Sequence, residues 1–402
     1  MSLAHSVGID SIGVAFPAQY LELSDLAEAR GVAPSKFVDG LGIRRMAVPA
    51  EDEDTVTLAA RAAREALQLA GSTGEDVGLL AVGTETAVDH SKPVASFVQG
   101  LLGLPRAMRV FETKHACYGG TAALQLALDW IRSGSARGKK ALVVCSDIAR
   151  YGVRTAGEPT QGAGAVALLL SEEPRILRLD AGQSGVFAQD VNDFWRPLYS
   201  RDAVVDGHYS VKCYLEALEG AYRDYQSLTG PAAEGFFSDR FAALAYHVPY
   251  GKMAVKAHRH LRGLDGDPSP DASFDRLVGA SLRFPSEIGN VYTGSLYLAL
   301  TSLLATSGSG LEGQRVGLFS YGSGSCAEFF SGTVCTGATA RMQSLRLPER
   351  LAARRRLTVG EYEDLMAARE RMDSREPEAT APAPFQYLGV KEHRRTYGPG
   401  IS

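Results

Sequence analysis

Cys117 lies in the stretch FETKHACYGGTAALQ, residues 111–125. The stretch reads as a short strand, a tight turn and a helix that opens just after the cysteine. A thiol at a helix N-terminus feels the positive end of the helix dipole and the free backbone N–H groups there. Both favour the thiolate, which is the reactive form. Gly119 and Gly120 let a backbone or a ligand come close. The helix over 121–131 carries Ala122, Ala123, Leu124, Leu126, Ala127, Leu128 and Trp130. It is apolar nearly all round, which predicts burial. A sulfur held at the head of a buried helix is built as an acyl-transfer nucleophile. Taken alone, Cys117 reads equally well as a core cysteine.

Other polar residues also follow apolar strands. Glu85 comes after LLAVGT, His247 after FAALAY, and the turn YGSGS, which holds Ser323, after VGLFS; Asn290 precedes YTGSLYL. In open α/β sheets the carboxyl ends of the strands form the active-site crevice. There a cysteine can accept an acyl group, a histidine and an asparagine can polarise a carbonyl, and a carboxylate in an apolar pocket can move a proton. Singly, each has a plainer reading: Glu85 as a solvated strand end, His247 as a satisfied buried histidine, Asn290 as a helix N-cap, and YGSGS as a hairpin. Those plainer readings weaken together, because unrelated residues have no reason to gather at strand ends. GAGAVA at 162–167 resembles a dinucleotide fingerprint but lacks the preceding strand and following helix, so it reads as strand. His258 and His260 have no third ligand in sight, so a metal is not expected.

These residues need elements to hold them. Strands are expected over 6–14, 77–84, 109–112, 139–147 and 161–170, with helices over 24–30, 34–41, 54–70 and 96–102. The alternation is the α/β signature. The second half repeats it: helices over 208–228, 253–261 and 289–302, and strands over 241–247, 315–320 and 327–333. Residues 172–190 read as a polar stretch. Residues 346–384 are charged, with helical pieces and a Pro/Ala linker, and read as a solvated surface excursion. The last segment, FQYLGVKEHRRTYGPG, reads as a returning edge strand or loop. The 402 residues allow about two to three domains. Halves at 1–171 and 172–402 are expected, the second carrying the excursion. A net charge of −4 with no basic face argues against nucleic acid. Five scattered cysteines argue against a disulfide framework and a thiolate zinc site. The first residues lack a signal-peptide pattern, and no apolar run nears the ~20 residues of a membrane span. A reducing cytoplasm is the expected home.

The segments VGTETAVD, KHACYGGTAALQLA, SDIARYG, GEPTQGAGAVA, DVNDFWRP, VDGHYS, YHVPYGKMAVKA, GNVYTGSLYL and LFSYGSGS occur in this order. In this order they resemble the 3-hydroxy-3-methylglutaryl-CoA synthases, most closely the bacterial form. The likeness runs from about Ile9 to the C-terminal strand and weakens around 263–283 and 345–384. It implies a thiolase-like fold of two pseudo-duplicated α/β halves in a five-layered αβαβα arrangement, as a homodimer. It implies an acyltransferase that condenses acetyl-CoA with acetoacetyl-CoA to give HMG-CoA, with no cofactor. By the resemblance Cys117 takes the acetyl group, Glu85 is the general acid/base, and His247 polarises the acceptor carbonyl with Asn290 beside it. The N–H groups of Cys117 and Ser323 form the oxyanion hole. Tyr151, Thr160 and Phe194 line the pocket, and Ser210, Lys252 and Lys256 contact acyl or CoA groups. His90 and His115 depart from the family's usual residues, and His115 stands close enough in sequence to tune the sulfur.

Three competing readings remain. One is a β-branching synthase acting on a carrier-protein-bound β-ketone. Another is a nicotinamide oxidoreductase resting on GAGAVA. The third is a non-catalytic interaction protein that keeps the fold.

Overall fold

The computed structural model describes residues 6–231, 235–372 and 385–398. β1 (Gly8–Ala15) is buried along its whole length. β2 (Gln19–Glu22), α1 (Leu23–Ala29), α2 (Pro34–Leu41) and β3 (Arg45–Ala47) follow. α3 (Thr55–Ala70) opens on a capping box, in which Thr57 N–H donates to the Asp54 carboxylate and Asp54 N–H to the Thr57 hydroxyl. It stops at Gly71, whose left-handed backbone suits glycine. β4 (Val77–Gly83), α4 (Val94–Leu101), β5 (Arg109–Thr113), α5 (Gly119–Arg132), β6 (Lys140–Ala149) and β7 (Gly162–Ser171) complete the first half. β6 and β7 are buried almost throughout, as continuous apolar strands covered on both faces should be. GAGAVA is therefore strand, in the middle of the sheet.

The second half begins with β8 (Leu177–Ala188), β9 (Phe194–Trp195), β10 (Val204–Val205) and α6 (Gly207–Thr229). β11 (Ala243–Tyr246), α7 (Gly251–Leu264), α8 (Phe274–Leu277), α9 (Pro285–Ile288) and α10 (Ser295–Thr306) lead to β12 (Arg315–Gly322) and β13 (Cys326–Val334). α11 (Ala338–Gln343), α12 (Leu347–Ala352), β14 (Arg355–Leu357), α13 (Val359–Glu370), β15 (Tyr387–Lys391) and β16 (Arg394–Tyr397) close the chain.

Nine strands form one hydrogen-bonded series, β11-β12-β13-β8-β1-β7-β6-β4-β5. β1 and β8 share only the pairs Gly8–Arg178 and Ile9–Leu177, so the series divides there into two wings. The wings follow one plan: β1, α3, β4, α5, β6, β7 in the first and β8, α6, β11, α10, β12, β13 in the second. α3 covers the outer face of β1, β7 and β6, and α6 covers β8, β13 and β12. α5 packs on β4 and β6, and α10 on β11 and β12. The two inner helices meet, since the Thr121 hydroxyl bonds Tyr297 of α10 at 2.7 Å and donates to Ser320 of β12 at 2.7 Å. Outer helix, sheet, helix pair, sheet and outer helix make the five αβαβα layers expected.

Three expectations need correction. Residues 177–188, read as polar, form the long strand β8. Its Leu177, Leu179 and Gly185 face inward while neighbours are exposed, and it is held by antiparallel pairing to β13. Residues 346–372 are not a solvated excursion. β14 pairs in parallel with β2 in a small sheet β14-β2-β3. Leu357 and Tyr362 join Leu21, Leu23, Leu26 and Met46 in a separate small core. Each such buried side chain contributes about 1.5–3 kcal/mol, which offsets the ordering of a charged segment. The linker at 373–384 lies outside the described residues. The last segment is a two-stranded hairpin, β15–β16, not an edge of the main sheet.

Candidate active site

β4 pairs in parallel with both β5 and β6, so Gly83 stands opposite Thr113 and Cys145. Parallel strands deliver their C-terminal ends to one edge of the sheet. The segments holding Glu85, Cys117 and Asp147 therefore emerge side by side. The approach is tight, because a Cβ on Gly83 would lie 2.4 Å from Gly120 Cα. Ala116 adopts a left-handed φ of 39°, the kind of strain retained at functional turns. Cys117 Sγ donates to Glu85 Oε1 at 3.0 Å.

The electrostatics differ from a simple helix-dipole expectation. Burial pushes Glu85 up to about 8, the buried Asp147 adds to the rise, and Arg196 and the Cys117 thiol oppose it. Burial and the adjacent Glu85 also hold the Cys117 thiol well above its ordinary value. The free enzyme therefore carries a thiol, not the thiolate expected from sequence. Loss of hydration and a neighbouring carboxylate outweigh the helix end. Glu85, bonded to the sulfur, is the group placed to take its proton.

Asp147, at the C-terminal end of β6, was not among the sequence candidates. It is fully buried. Its Oδ1 accepts from Thr84 Oγ1 at 2.8 Å, Glu85 N at 2.9 Å, Thr86 N at 3.0 Å and Thr86 Oγ1 at 2.7 Å. Its Oδ2 accepts from Thr293 N at 3.1 Å and from the Thr293 hydroxyl at 2.5 Å. These bonds pin the loop that presents Glu85 and tie it to the lead-in of α10. A carboxylate near the end of a mostly apolar strand was the available signal, akin to the one that pointed to Glu85.

The second wing supplies the opposite wall. β11 and β12 are parallel, and His247 N–H donates to Phe319 O at 2.7 Å. His247 is buried, with its ring against Tyr214. Burial lowers it to about 3, so its imidazole is neutral at working pH. It can orient or polarise a carbonyl but does not serve there as a cationic acid. The turn after β12 presses on the cysteine turn, since a Cβ on Gly322 would lie 2.5 Å from both His115 O and Tyr118 N. That contact brings the turn holding Ser323 against the cysteine turn. Asn290 is buried, and its Oδ1 accepts from Tyr292 N at 2.9 Å and Ser295 Oγ at 3.0 Å. It is not the helix N-cap of its plainer reading, since Gly294 holds that place before α10; it braces the turn ahead of the helix, and its amide donors remain outside those two bonds.

Tyr151, Phe194 and Tyr292 stack edge to face, with ring centres 6.3 and 5.8 Å apart. Glu85, Ala116, Phe194 and Arg196 line a cavity of about 570 Å³. Thr160 bonds Gly157 O at 2.8 Å. Ser210, in the first turn of α6, donates to the buried Asp193 at 3.2 Å. Asp193 also accepts from Tyr321 OH at 2.7 Å and Gly324 N at 3.0 Å, so it links the Phe194 segment to the Ser323 turn. Lys252 and Lys256 are exposed, and four residues apart on α7 they share one face. His115 is half-buried beside Tyr118, with its Nε2 making no hydrogen bond among the described residues. His258 is a structural histidine between Tyr246 OH and Ser273 Oγ. Among the described residues, no three His, Cys, Asp or Glu side chains gather in a way that could hold a metal, and no helix is long and apolar enough to cross a membrane.

The family models described as hydroxymethylglutaryl-coenzyme A synthase N terminal and C terminal match residues 3–174, and residues 177–266 and 269–382. The chain belongs to the hydroxymethylglutaryl-CoA synthase family. It is 41% identical to the hydroxymethylglutaryl-CoA synthase of Enterococcus faecalis over 365 residues, covering 90% of this chain and 92% of that one. It is 33% identical to the polyketide biosynthesis 3-hydroxy-3-methylglutaryl-ACP synthase PksG of Bacillus subtilis, covering 89% and 87%. Its fold matches the solved structure of MvaS in complex with 3-hydroxy-3-methylglutaryl coenzyme A with a TM-score of 0.92 and 50% identity, covering 98% of this chain and 99% of that one. The family's fold is thiolase-like, and its members are acyltransferases.

The raised Glu85 carboxyl carries a stability signature. Between the ordinary carboxylate range and about pH 8, the folded chain holds a proton there that the unfolded chain has lost. Stability contributed by this group is complete at low pH and is lost as pH rises through about 8. Glu85→Gln, which cannot ionise, is expected to gain in melting temperature relative to the wild type as pH rises from about 5 to about 9. Calorimetry across that range checks it, and a constant difference between the two proteins would refute the shift.

Proposed function

We propose that the chain joins acetyl-CoA to acetoacetyl-CoA and hydrolyses the product from the enzyme, giving HMG-CoA and free CoA. The observation that carries this reading is the 3.0 Å bond from Cys117 Sγ to a carboxyl raised to about 8. Glu85 accepts the thiol proton while the sulfur attacks the acetyl carbonyl. The N–H groups of Cys117 and Ser323 hold the oxyanion. The carbon–sulfur bond to CoA breaks, and the CoA sulfur takes the proton from Glu85. Glu85 then removes a proton from the methyl group of acetyl-Cys117, which the thioester has acidified. That carbon attacks the ketone of acetoacetyl-CoA, whose oxygen His247 and Asn290 polarise. Glu85 returns its proton to the new tertiary alkoxide. Water cleaves the Cys117 thioester, releasing the thiol and a free carboxylate.

Tyr151, Thr160 and Phe194 form the acyl wall, Ser210 lies behind it, and Lys252 and Lys256 meet CoA phosphates as point charges. The sulfur and the carboxylate supply the chemistry, so no cofactor enters. The two halves meet near residue 172. The enzyme works as a homodimer, a reading supported by the open edge strand β5. It works in the cytoplasm, where its five free cysteines stay reduced.

A carrier-bound acceptor is the second reading, favoured by the similarity to PksG, whose name gives its product as 3-hydroxy-3-methylglutaryl-ACP. The exposed lysines on α7 and the higher identity to the Enterococcus enzyme support the free CoA ester. Offered acetoacetyl-CoA and an acetoacetylated carrier protein side by side, the enzyme is expected to consume the first faster. Loss of enolate absorbance follows the one and intact mass the other. Preference for the carrier would overturn the choice.

A further inference from the structure

Arg196 stands just past β9, inside the DVNDFWRP segment, where residue type and spacing assign it no role. Its side chain is 17% exposed. One guanidinium nitrogen, Nη1, donates to the Glu85 backbone carbonyl at 2.5 Å. Nη2 lies 3.5 Å from Glu85 Oε2, an ion-pair distance. Nε and Nη2 are buried and make no hydrogen bond among the described residues. The guanidinium carbon lies 5.7 Å from the Tyr292 ring centre. The other arginines lining the same cavity are committed elsewhere: Arg150 to Glu370, Arg201 to the Glu370 carbonyl, Arg369 to the carbonyls of Ala50 and Glu53, and Arg395 to Asp54. A buried guanidinium that keeps donors in reserve beside a reactive carboxyl is poised for the state in which that carboxyl is charged.

We propose that Arg196 is a positioning residue that anchors the Glu85 loop through its backbone carbonyl and closes onto the Glu85 carboxylate each time the carboxylate ionises. This rests on the reading of Glu85 as the acid–base group. The groups facing Glu85 are Asp147 from β6, the Cys117 thiol, the hydroxyls of Tyr151 and Tyr292, and Arg196. Asp147 and burial work against the charged form, and Arg196 is the only cation among these groups. Without it Glu85 would ionise only at still higher pH, and less of the enzyme at neutral pH could free the sulfur or take a methyl proton. At 3.5 Å from Glu85 Oε2, Nη2 is within reach of a closer bond to the ionised carboxylate.

The test needs no substrate. Cys117 is alkylated with iodoacetamide from about pH 6 to about pH 10, a range that brackets ordinary thiol titration, in the wild type, Arg196→Met, Arg196→Lys and Glu85→Gln. The wild type is expected to show an inflection near about 8, where Glu85 becomes able to take the thiol proton. Arg196→Met should move it up by about 1 unit or more, the effect of losing an opposite charge at this range. Arg196→Lys should restore part of that shift, because it keeps the charge and loses the fork. An unmoved inflection in Arg196→Met, or Arg196→Lys behaving as Arg196→Met does, overturns the proposal. Should Arg196→Met not fold, the lysine variant against the wild type still decides, since an inflection identical to the wild type's would leave the guanidinium fork without a role. An inflection that survives in Glu85→Gln removes the acid–base reading and the proposal with it. Failure of the wild type to use acetoacetyl-CoA would touch the acceptor alone and leave this readout intact.

Discussion

Cys117→Ala is expected to abolish the acetyl-enzyme and to lower turnover by about 10⁴-fold or more, the scale of losing a covalent nucleophile. No other cysteine can stand in. Cys145 is fully buried under Gly120, where a glycine Cβ would already lie 2.4 Å from its sulfur. Cys213 is buried on α6, and the Cys335 sulfur bonds Pro174 O. Cys326 is half-buried at the start of β13, with no carboxylate bonded to its sulfur among the described residues. Cys117 alone donates to a carboxyl that can take its proton. The fold should survive the change, because the left-handed turn at Ala116 and the packing of Gly322 against it involve backbone atoms. Mixing each protein with acetyl-CoA and mapping the acetylated peptide by mass checks the prediction. An acetyl group retained by Cys117→Ala, or carried by another cysteine in the wild type, would remove the nucleophile from the mechanism.

The chemistry was legible because it sits where periodicity changes. Glu85, Cys117 and His247 each follow an apolar strand, and parallel pairing alone aligns the ends of β4, β5 and β6. The sulfur's protonation state was not legible. A helix N-terminus is local and visible in sequence, whereas burial and the nearness of Glu85, 32 residues away, exist only after folding. Asp147 was within reach of the same reasoning but lies inside a longer apolar run, where it looks like the end of a strand and nothing more. Arg196 could not be read at all, because its meaning depends on which carboxyl it meets.

Two elements were hidden for a different reason. β8 carries Asp180, Gly182 and Gln183, poor strand formers, and is made a strand by β13, which arrives much later in the chain. Residues 346–372 carry a dense run of arginines whose partners come from elsewhere in the chain or the next helix: Arg355 with Glu361, Arg356 with Asp25 and Arg350 with Glu65. Their few anchors, Leu347, Leu351, Leu357 and Tyr362, lack a helical or strand period because they serve short pieces of both kinds. β14 becomes a strand only by meeting β2, at the far end of the sequence.

Glu85→Ala is expected to separate the two halves of the reaction. It should still accept an acetyl group on Cys117 yet condense about 10²- to 10⁴-fold more slowly, the usual worth of a placed acid–base group. Acetylation survives because two effects oppose each other. The thiol loses its proton acceptor, but it also loses the neighbouring carboxylate that helps hold it protonated. Condensation has no such compensation, because a methyl proton must leave for a base and the alkoxide must then receive one. The pH profile carries the sign. The carboxyl must be ionised to act as a base, so wild-type condensation should rise with pH through about 8, and that rise should be absent from the residual rate of Glu85→Ala. His247, lowered to about 3, stays neutral over this range and adds no inflection of its own. Single-turnover mixing of acetylated enzyme with acetoacetyl-CoA isolates the step. If Glu85→Ala condensed at the wild-type rate, carbon–carbon bond formation would have to be driven by some other base, and the bond between Cys117 and Glu85 would be a matter of packing alone.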